Sequence, residues 1–274
     1  ARVTASGCGR STVGPGVMPG GQGHETAVAG LTSQMLGWPT HSIVYAQGDT
    51  DLLPTGRGNG GSAATVVGLS AVKIALDELI TQGQGVAAAA LGCAATELTY
   101  LEGAFSTQDG QTMAWADIAR HSNQAGGISV LGEFTPPDVT YPNGCHICEV
   151  EIDPKTGKIA FCDYVVVEDV GTVLNPALVE GQMHGGVAQG IGQALGEILR
   201  FDPQGQLMTG SFLDYPMPVA ADLPPFRITT IAVPTAINPL GAKGVGEAGT
   251  VGSLAATMNA VADALASAGI TEFE

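Results

Sequence analysis

Apolar residues recur at helical spacing over several stretches of this 274-residue chain. In His24–Leu36, Val28, Leu31 and Met35 share a face, Gly37 suits the C-terminal cap and Pro39 prevents extension, so a helix is predicted. Ser62 is placed to cap a second helix running to about Thr81, with Val66, Leu69, Val72 and Leu76 inward, and the alanine-rich stretch from Val86 also reads as helix. A third predicted helix covers Leu178–Leu199, with Met183, Val187, Ile191, Ala194 and Ile198 as its apolar stripe. A last one runs from Thr250 to Ser267, turning Val251, Leu254, Ala255, Met258, Val261 and Leu265 inward. Strands are predicted at His41–Ala46, Glu97–Phe105, Ile128–Phe134 and Arg227–Val233. Cys145–Ile152 and Lys158–Val167 read as a hairpin around the Asp153–Gly157 turn. Ala1–Pro19 and Asp49–Gly61 are rich in turn residues and read as loops. The expected fold class is α+β, mixed sheets with packed helices.

Charge narrows the choice of partners. The chain has 26 acidic and 10 basic residues and a formal net charge of −16. Nucleic acid and anionic membrane surfaces, which both require clustered Lys and Arg, are excluded as expected partners. Charged residues make up only 13%, against about 25% in soluble domains, so another chain is expected to cover much of the surface. The most apolar run, Val86–Ala95, falls far short of the roughly 20 residues that span a bilayer. No secretory signal opens the chain, so a cytoplasmic location is expected, although Ala1 is not an initiator Met. An odd number of irregularly spaced cysteines argues against a disulfide framework. Cys145-His-Ile-Cys148 lacks the second ligand pair of a zinc site, and strand alternation turns its cysteines to opposite faces.

Three glycine-rich constellations carry candidate chemistry. Met18–Glu25 contains Gly20-Gly-Gln-Gly23 and opens a helix; it reads equally as a turn or as a ligand loop, with Gln22 offering both a donor and an acceptor. In Gly181–Gly196, the residues Gly185, Gly186, Gln189, Gly192, Gln193 and Gly196 share a stripe. Each interior Gly costs about 1 kcal/mol against Ala, so something approaches that face closely: a neighbouring helix or, as the glutamine amides favour, a flat hydrogen-bonding ligand. Gly241–Thr250 holds Gly244, Gly246 and Gly249 in the pattern G-x-G-x-x-G, but Pro234, Asn238 and Pro239 precede it and no βαβ unit follows, so the dinucleotide reading fails. What remains is Glu247, a carboxylate among small residues before a helix. It is a candidate general base, or else a helix-start carboxylate favoured by the macrodipole.

Taken in order, these pieces resemble the large subunit of the molybdenum hydroxylases, the family of xanthine dehydrogenase and aerobic carbon monoxide dehydrogenase. The matching segments are Gly20–Thr26, Gln47–Thr50, Asn59–Ser62, Tyr141–Ile152, Asp169–Pro176, the Gly181–Gly196 helix and Lys243–Gly249. The resemblance implies two intimately packed molybdopterin-binding subdomains, residues 1–126 and 127–274, the second carrying Glu247. It implies molybdenum held by a pterin dithiolene and not by protein ligands, in the cytosine dinucleotide form. Cofactor contacts are expected from Gly21, Gln22, Gly23, Gly60, Gly61, Ser62, Ala63, Gln189, Gly244, Val245 and Gly246. Glu247 matches the family's base, which takes a proton as water-derived oxygen attacks an electrophilic carbon. The implied activity is hydroxylation of an N-heteroaromatic compound or aldehyde, with carbon monoxide oxidation as the alternative within the family and a non-catalytic scaffold as the alternative outside it. Implied partners are the complementary N-terminal part of the large subunit, a [2Fe–2S] subunit and an FAD subunit. The family's large subunit is far longer, so the chain is expected to be a fragment or one product of a split subunit. Where some relatives carry Arg and Ser in the loop after Ser62, this chain has Ala63 and Ala64, removing a polar contact.

Overall fold

A computed structural model describes residues 1–53, 55–122 and 126–272; Pro54, within the predicted Asp49–Gly61 loop, lies outside them. The opening stretch expected to be loop is instead a strand pair, β1 (Arg2–Ala5) and β2 (Ser11–Gly14), antiparallel with Val3 opposite Val13. Each strand is only four residues long, and the glycines between them conceal the alternation. With β3 (Ile43–Tyr45) and β7 (Ile128–Leu131) they form a sheet of order β3-β2-β1-β7. The helix α1 (His24–Leu36) spans the predicted residues, but buries Val28, Thr32 and Leu36. The second helix begins later and runs further than expected: a π-turn at Thr65–Leu69 leads into α2 (Ser70–Leu91), which absorbs the alanine-rich stretch. Its four expected core residues, Val66, Leu69, Val72 and Leu76, are all buried.

The predicted strand at Glu97–Phe105 is broken. It is a hairpin of β4 (Thr99–Leu101) and β5 (Ala104–Ser106), joined by β6 (Thr112–Ala114) in a small sheet beside α3 (Trp115–His121). The turn is made by Glu102 and Gly103, both at positive φ, and a Cβ on Gly103 would lie 2.1 Å from the Leu36 carbonyl oxygen. Gly83, inside α2, is explained by the same crowding: its Cβ would meet the Trp115 ring at 2.5 Å.

The chain divides into two units, Ala1–Thr140 with Pro234–Lys243, and Tyr141–Val233 with Gly244–Glu274. The boundary expected at 126/127 is therefore displaced. The reason is β7, which pairs antiparallel with β1, Val130 opposite Val3, and buries Ile128 and Val130 in the first unit's core.

The second unit is built on β8 (Asn143–Ile152) and β9 (Ile159–Asp169), the predicted hairpin, with a bulge between Glu149 and Val150. Strand β10 (Phe226–Ile231) adds parallel to β9. Helix α4 (Pro176–Leu195) starts with Pro176 and is capped by Asn175, whose side-chain oxygen accepts from the Leu178 amide at 3.1 Å. Tyr164, Val166, Met183, Val187 and Ile191 form the core between sheet and helix. The last helix, α5 (Ala248–Ser267), buries Val261 as expected, but its other buried residues are Gly249, Ser253 and Thr257, and Val251, expected inward, is 75% exposed. Hydrophobicity misleads here because α5 packs backbone to backbone against α4, where only small residues fit.

Candidate functional site

In the first unit, the glycine loop before α1 is shaped by backbone conformations that only glycine adopts without strain. Gly21 has φ 113° and Gly23, at the N-cap of α1, φ 77°. A Cβ on Gly21 would meet nothing within 4 Å. Oε1 of Gln22 accepts from the Gly20 amide at 2.5 Å, which leaves the two N–H groups of its amide to donate elsewhere. The second loop lies alongside, because Asn59 Nδ2 donates to the Met18 carbonyl. Gly61 and Ser62 follow one another at φ 56° and 51°, and the Ala63 amide closes the turn on the Gly60 carbonyl at 3.2 Å. Cβ atoms on Gly60 or Gly61 would also face open space. His24, at the start of α1, is buried, which lowers its pKa.

In the second unit, the corresponding pieces are an α4 glutamine and the start of α5. Gln189 is exposed, and its Oε1 lies 3.2 Å from Thr250 Oγ1. The helices touch through glycine. A Cβ on Gly186 would fall 3.0 Å from Gly249 Cα, and one on Gly190 would fall 1.9 Å from Ser253 Oγ and 2.8 Å from the Thr250 carbonyl. The glycine stripe therefore has two faces: Gly186 and Gly190 pack on α5, while Gly181 and Gly185 have open space beyond them. Glu247 occupies the exposed N-cap position of α5 without a capping side-chain hydrogen bond, its carbonyl accepting from Val251 at 3.1 Å. Before it, Gly244 is buried, Val245 half-buried and Gly246 exposed.

The far side of α5 rests on β8, where a Cβ on Gly252 would meet the His146 ring at 2.6 Å. His146 Nδ1 and Tyr164 Oη are 3.1 Å apart, and His146 Nε2 lies 4.0 Å from Glu168 Oε2. Burial lowers the His146 pKa and raises that of Tyr164; burial, then the Asp169 charge, raises that of Glu168. Burial likewise pushes the Cys148 thiol up to about 11, which disfavours its thiolate form. Asp169 Oδ1 accepts from the Gly171 amide at 2.9 Å and the Val233 amide at 3.1 Å, pinning the loop before α4 to the end of β10.

Residues 1–224 match the family described as the molybdopterin cofactor-binding domain. The chain belongs to that family. It is 34% identical over 267 residues to the carbon monoxide dehydrogenase large chain of Hydrogenophaga pseudoflava, covering 94% of this chain and 33% of that one. It is 36% identical over 286 residues to the nicotine 6-hydroxylase large subunit of Paenarthrobacter nicotinovorans, covering 100% of this chain and 35% of the relative. Among solved structures, quinoline 2-oxidoreductase from Pseudomonas putida 86 superimposes with a TM-score of 0.89 at 31% identity, over 99% of this chain and 36% of that chain. The chain thus spans about a third of the length of the relatives it matches.

The observed loops fit a molybdopterin cofactor. Gly21, Gly60 and Gly61 leave open space where a side chain would stand, and the donors nearby are neutral amides, suited to a heterocycle and its phosphate. Gly21, Gln22, Gly23, Gly60, Gly61, Ser62 and Ala63 are brought together in the first unit by the Asn59–Met18 contact. Gln189 and the Gly244–Glu247 turn belong to the second unit, joined by the α4–α5 contact. Among the described residues, no group of three or more His, Cys, Asp or Glu is placed to hold a metal ion. Sequence reasoning missed Thr250, because a lone threonine in a first helical turn carries no signal beyond capping. It also missed the His146–Tyr164–Glu168 group, whose members meet only through the β8–β9 register.

Proposed function

We propose that this chain is the molybdenum-cofactor-binding part of a hydroxylase large subunit. It would insert water-derived oxygen into a C–H bond of an N-heteroaromatic compound or aldehyde and pass two electrons to partner chains. The observation that carries this reading is the α4–α5 junction. It holds a glutamine amide beside the helix that begins at an exposed carboxylate, in a chain whose matched relatives are oxidoreductases. When bound, the cofactor, taken to be the cytosine dinucleotide form, supplies the two-electron redox chemistry. Gly21, Gln22 and Gly23, with the amides at the start of α1, bind its anionic portion. The Gly60–Ala63 turn holds the chain clear of the bound group. Gln189 and the Gly244–Gly246 backbone are further proposed cofactor contacts, and Glu247 accepts the proton released as oxygen attacks the substrate carbon.

The proposed complex includes partner chains. The chain's five cysteines do not form the four-thiolate pattern of an iron–sulfur site, and in this proposal [2Fe–2S] and FAD chains take the electrons. Leu199, Phe201, Met208, Phe212 and Leu213 are 56–93% exposed, an apolar surface for the remainder of the large subunit or another partner. No described helix is long and apolar enough to cross a membrane. The proposed location of the complex is the cytoplasm. A second reading, carbon monoxide oxidation, is favoured by the 34% identity to a carbon monoxide dehydrogenase large chain.

The test is turnover by the intact complex with an artificial electron acceptor, offered N-heteroaromatics, aldehydes and carbon monoxide in turn, with molybdenum measured in parallel. Oxygen-18 from labelled water in a hydroxylated product is the expected result. Carbon monoxide consumption alone would establish the second reading. A complex without molybdenum and without turnover would mark the chain as a scaffold.

A further inference from the structure

Thr250 lies in the first turn of α5, and the single proton of its hydroxyl is shared between two acceptors on α4: the Gly186 carbonyl at 3.1 Å and Gln189 Oε1 at 3.2 Å from Oγ1. It reaches both because the helices touch there without intervening side chains. Gly249, the residue before it, has its Cβ position 2.8 Å from the Met183 carbonyl oxygen and 3.0 Å from Gly186 Cα. A β-branched residue on a helix has few χ1 choices, so this hydroxyl is held in place before any ligand arrives. Gln189, in contrast, is an exposed side chain that would otherwise sample several rotamers at an entropic cost on binding. Holding Oε1 against Thr250 fixes the polarity of the amide, because its Nε2 then points away from α5 with both N–H groups available.

We propose that Thr250 is the positioning residue for Gln189. It sets the rotamer and the donor end of the amide, so that Gln189 offers N–H groups to a hydrogen-bond-accepting heteroatom of the cofactor. This rests on the reading of Gln189 as a cofactor contact. The contact also ties the cofactor-orienting glutamine to the helix that Glu247 starts, since Thr250 lies three residues beyond Glu247.

The experiment follows the rate of molybdenum loss from the purified intact complex during dialysis, by elemental analysis, for wild type, Thr250→Val, Thr250→Ser, Gln189→Ala and the Gln189→Ala/Thr250→Val double variant. Val keeps the branched shape and removes the hydroxyl, and one such hydrogen bond corresponds to about a two- to tenfold faster loss. Ser restores the hydroxyl and should return the rate close to wild type. The double variant should lose molybdenum no faster than Gln189→Ala alone, because in this proposal Thr250 acts on the cofactor through that amide and not through its other acceptor, the Gly186 carbonyl. Fast loss in Gln189→Ala with wild-type behaviour in Thr250→Val would overturn the proposal, as would additive effects in the double variant. An unaffected Gln189→Ala would overturn it in a distinguishable way, by removing Gln189 from the cofactor contacts altogether.

Discussion

Helices α1 and α5 both start directly after a glycine loop, and they start differently. The N-cap of α1 is Gly23 at φ 77°, preceded by a Gly21 that faces open space. The N-cap of α5 is Glu247, and the glycine that follows in the first turn, Gly249, is pressed onto the backbone of α4. One set of glycines stands at the open surface, and the other closes a gap so that two helices pack backbone to backbone. A glycine-rich string thus marks closeness without saying to what. Both starts carry an exposed carboxylate, Glu25 in the first turn of α1 and Glu247 at the N-cap of α5; the proposed chemical difference is that Glu247 alone serves as the proton acceptor.

The largest effect should come from erasing that chemical difference. Glu247→Gln keeps the shape of the α5 start and removes the base, so turnover per molybdenum should fall about 10²–10⁴-fold with molybdenum and pterin content unchanged. If Glu247 only favours the helix start, the variant instead loses about 0.3–1 kcal/mol of stability and keeps its turnover. Next in size is the closed gap itself. Gly190→Leu has no room beside Ser253 and the Thr250 carbonyl, and overpacking of this kind costs about 1–3 kcal/mol or more, read as a lower denaturant midpoint. The start of α1 should respond in binding and not in rate: Gln22→Ala should weaken molybdenum retention about two- to tenfold while turnover per bound molybdenum stays the same. Loss of rate in that variant would blur the distinction between the two helix starts.

Smaller still is a test within one helix. Gly185 faces open space and Gly186 faces α5, so Gly185→Ala should gain up to about 1 kcal/mol of helix stability, whereas Gly186→Ala should not. Equal effects would mean that the stripe has only one face. The smallest expected signal is a pH slope behind α5. Burial holds His146 below its ordinary pKa of 6.5, so the unfolded chain binds more protons there. Its contribution is complete above pH 6.5 and is lost as the pH falls through the folded value. Glu168, held above its ordinary 4.5, acts in the opposite sense, contributing most below 4.5 and losing that contribution as the pH rises through its folded value. His146→Gln should flatten the acid limb of the denaturation-midpoint profile below pH 6.5 and leave the limb above it in place.

Long periodic elements were legible in the sequence: α1 and the β8–β9 hairpin lie close to where the pattern put them. Short strands were not. In β1 and β2, four-residue strands between glycines leave no window in which alternation stands out. The inward face of α5 was misread for a physical reason, since hydrophobicity tracks side-chain packing and this helix is seated by Gly249, Ser253 and Thr257. The site shows the same division. Gly21, Gln22, Gln189 and Glu247 stood out by type and spacing. Thr250 did not, because its significance depends on a helix 61 residues away in sequence from it at Gln189. The split of the α4 glycines into Gly186 and Gly190 against Gly185 likewise depends on where α5 lies.

The segment Pro234–Lys243 belongs to the first unit although the whole of Tyr141–Val233 precedes it. It is a self-bracing turn: buried Asn238 donates from Nδ2 to the Ala242 carbonyl at 2.8 Å and accepts at Oδ1 from the Leu240 and Ala242 amides. During synthesis from the N-terminus, residues 1–140 emerge well before this turn exists. The first unit must therefore wait, incomplete, while most of the second is translated. Its last piece arrives immediately before the Gly244–Glu247 turn, so the first unit is completed only after most of the second has been made.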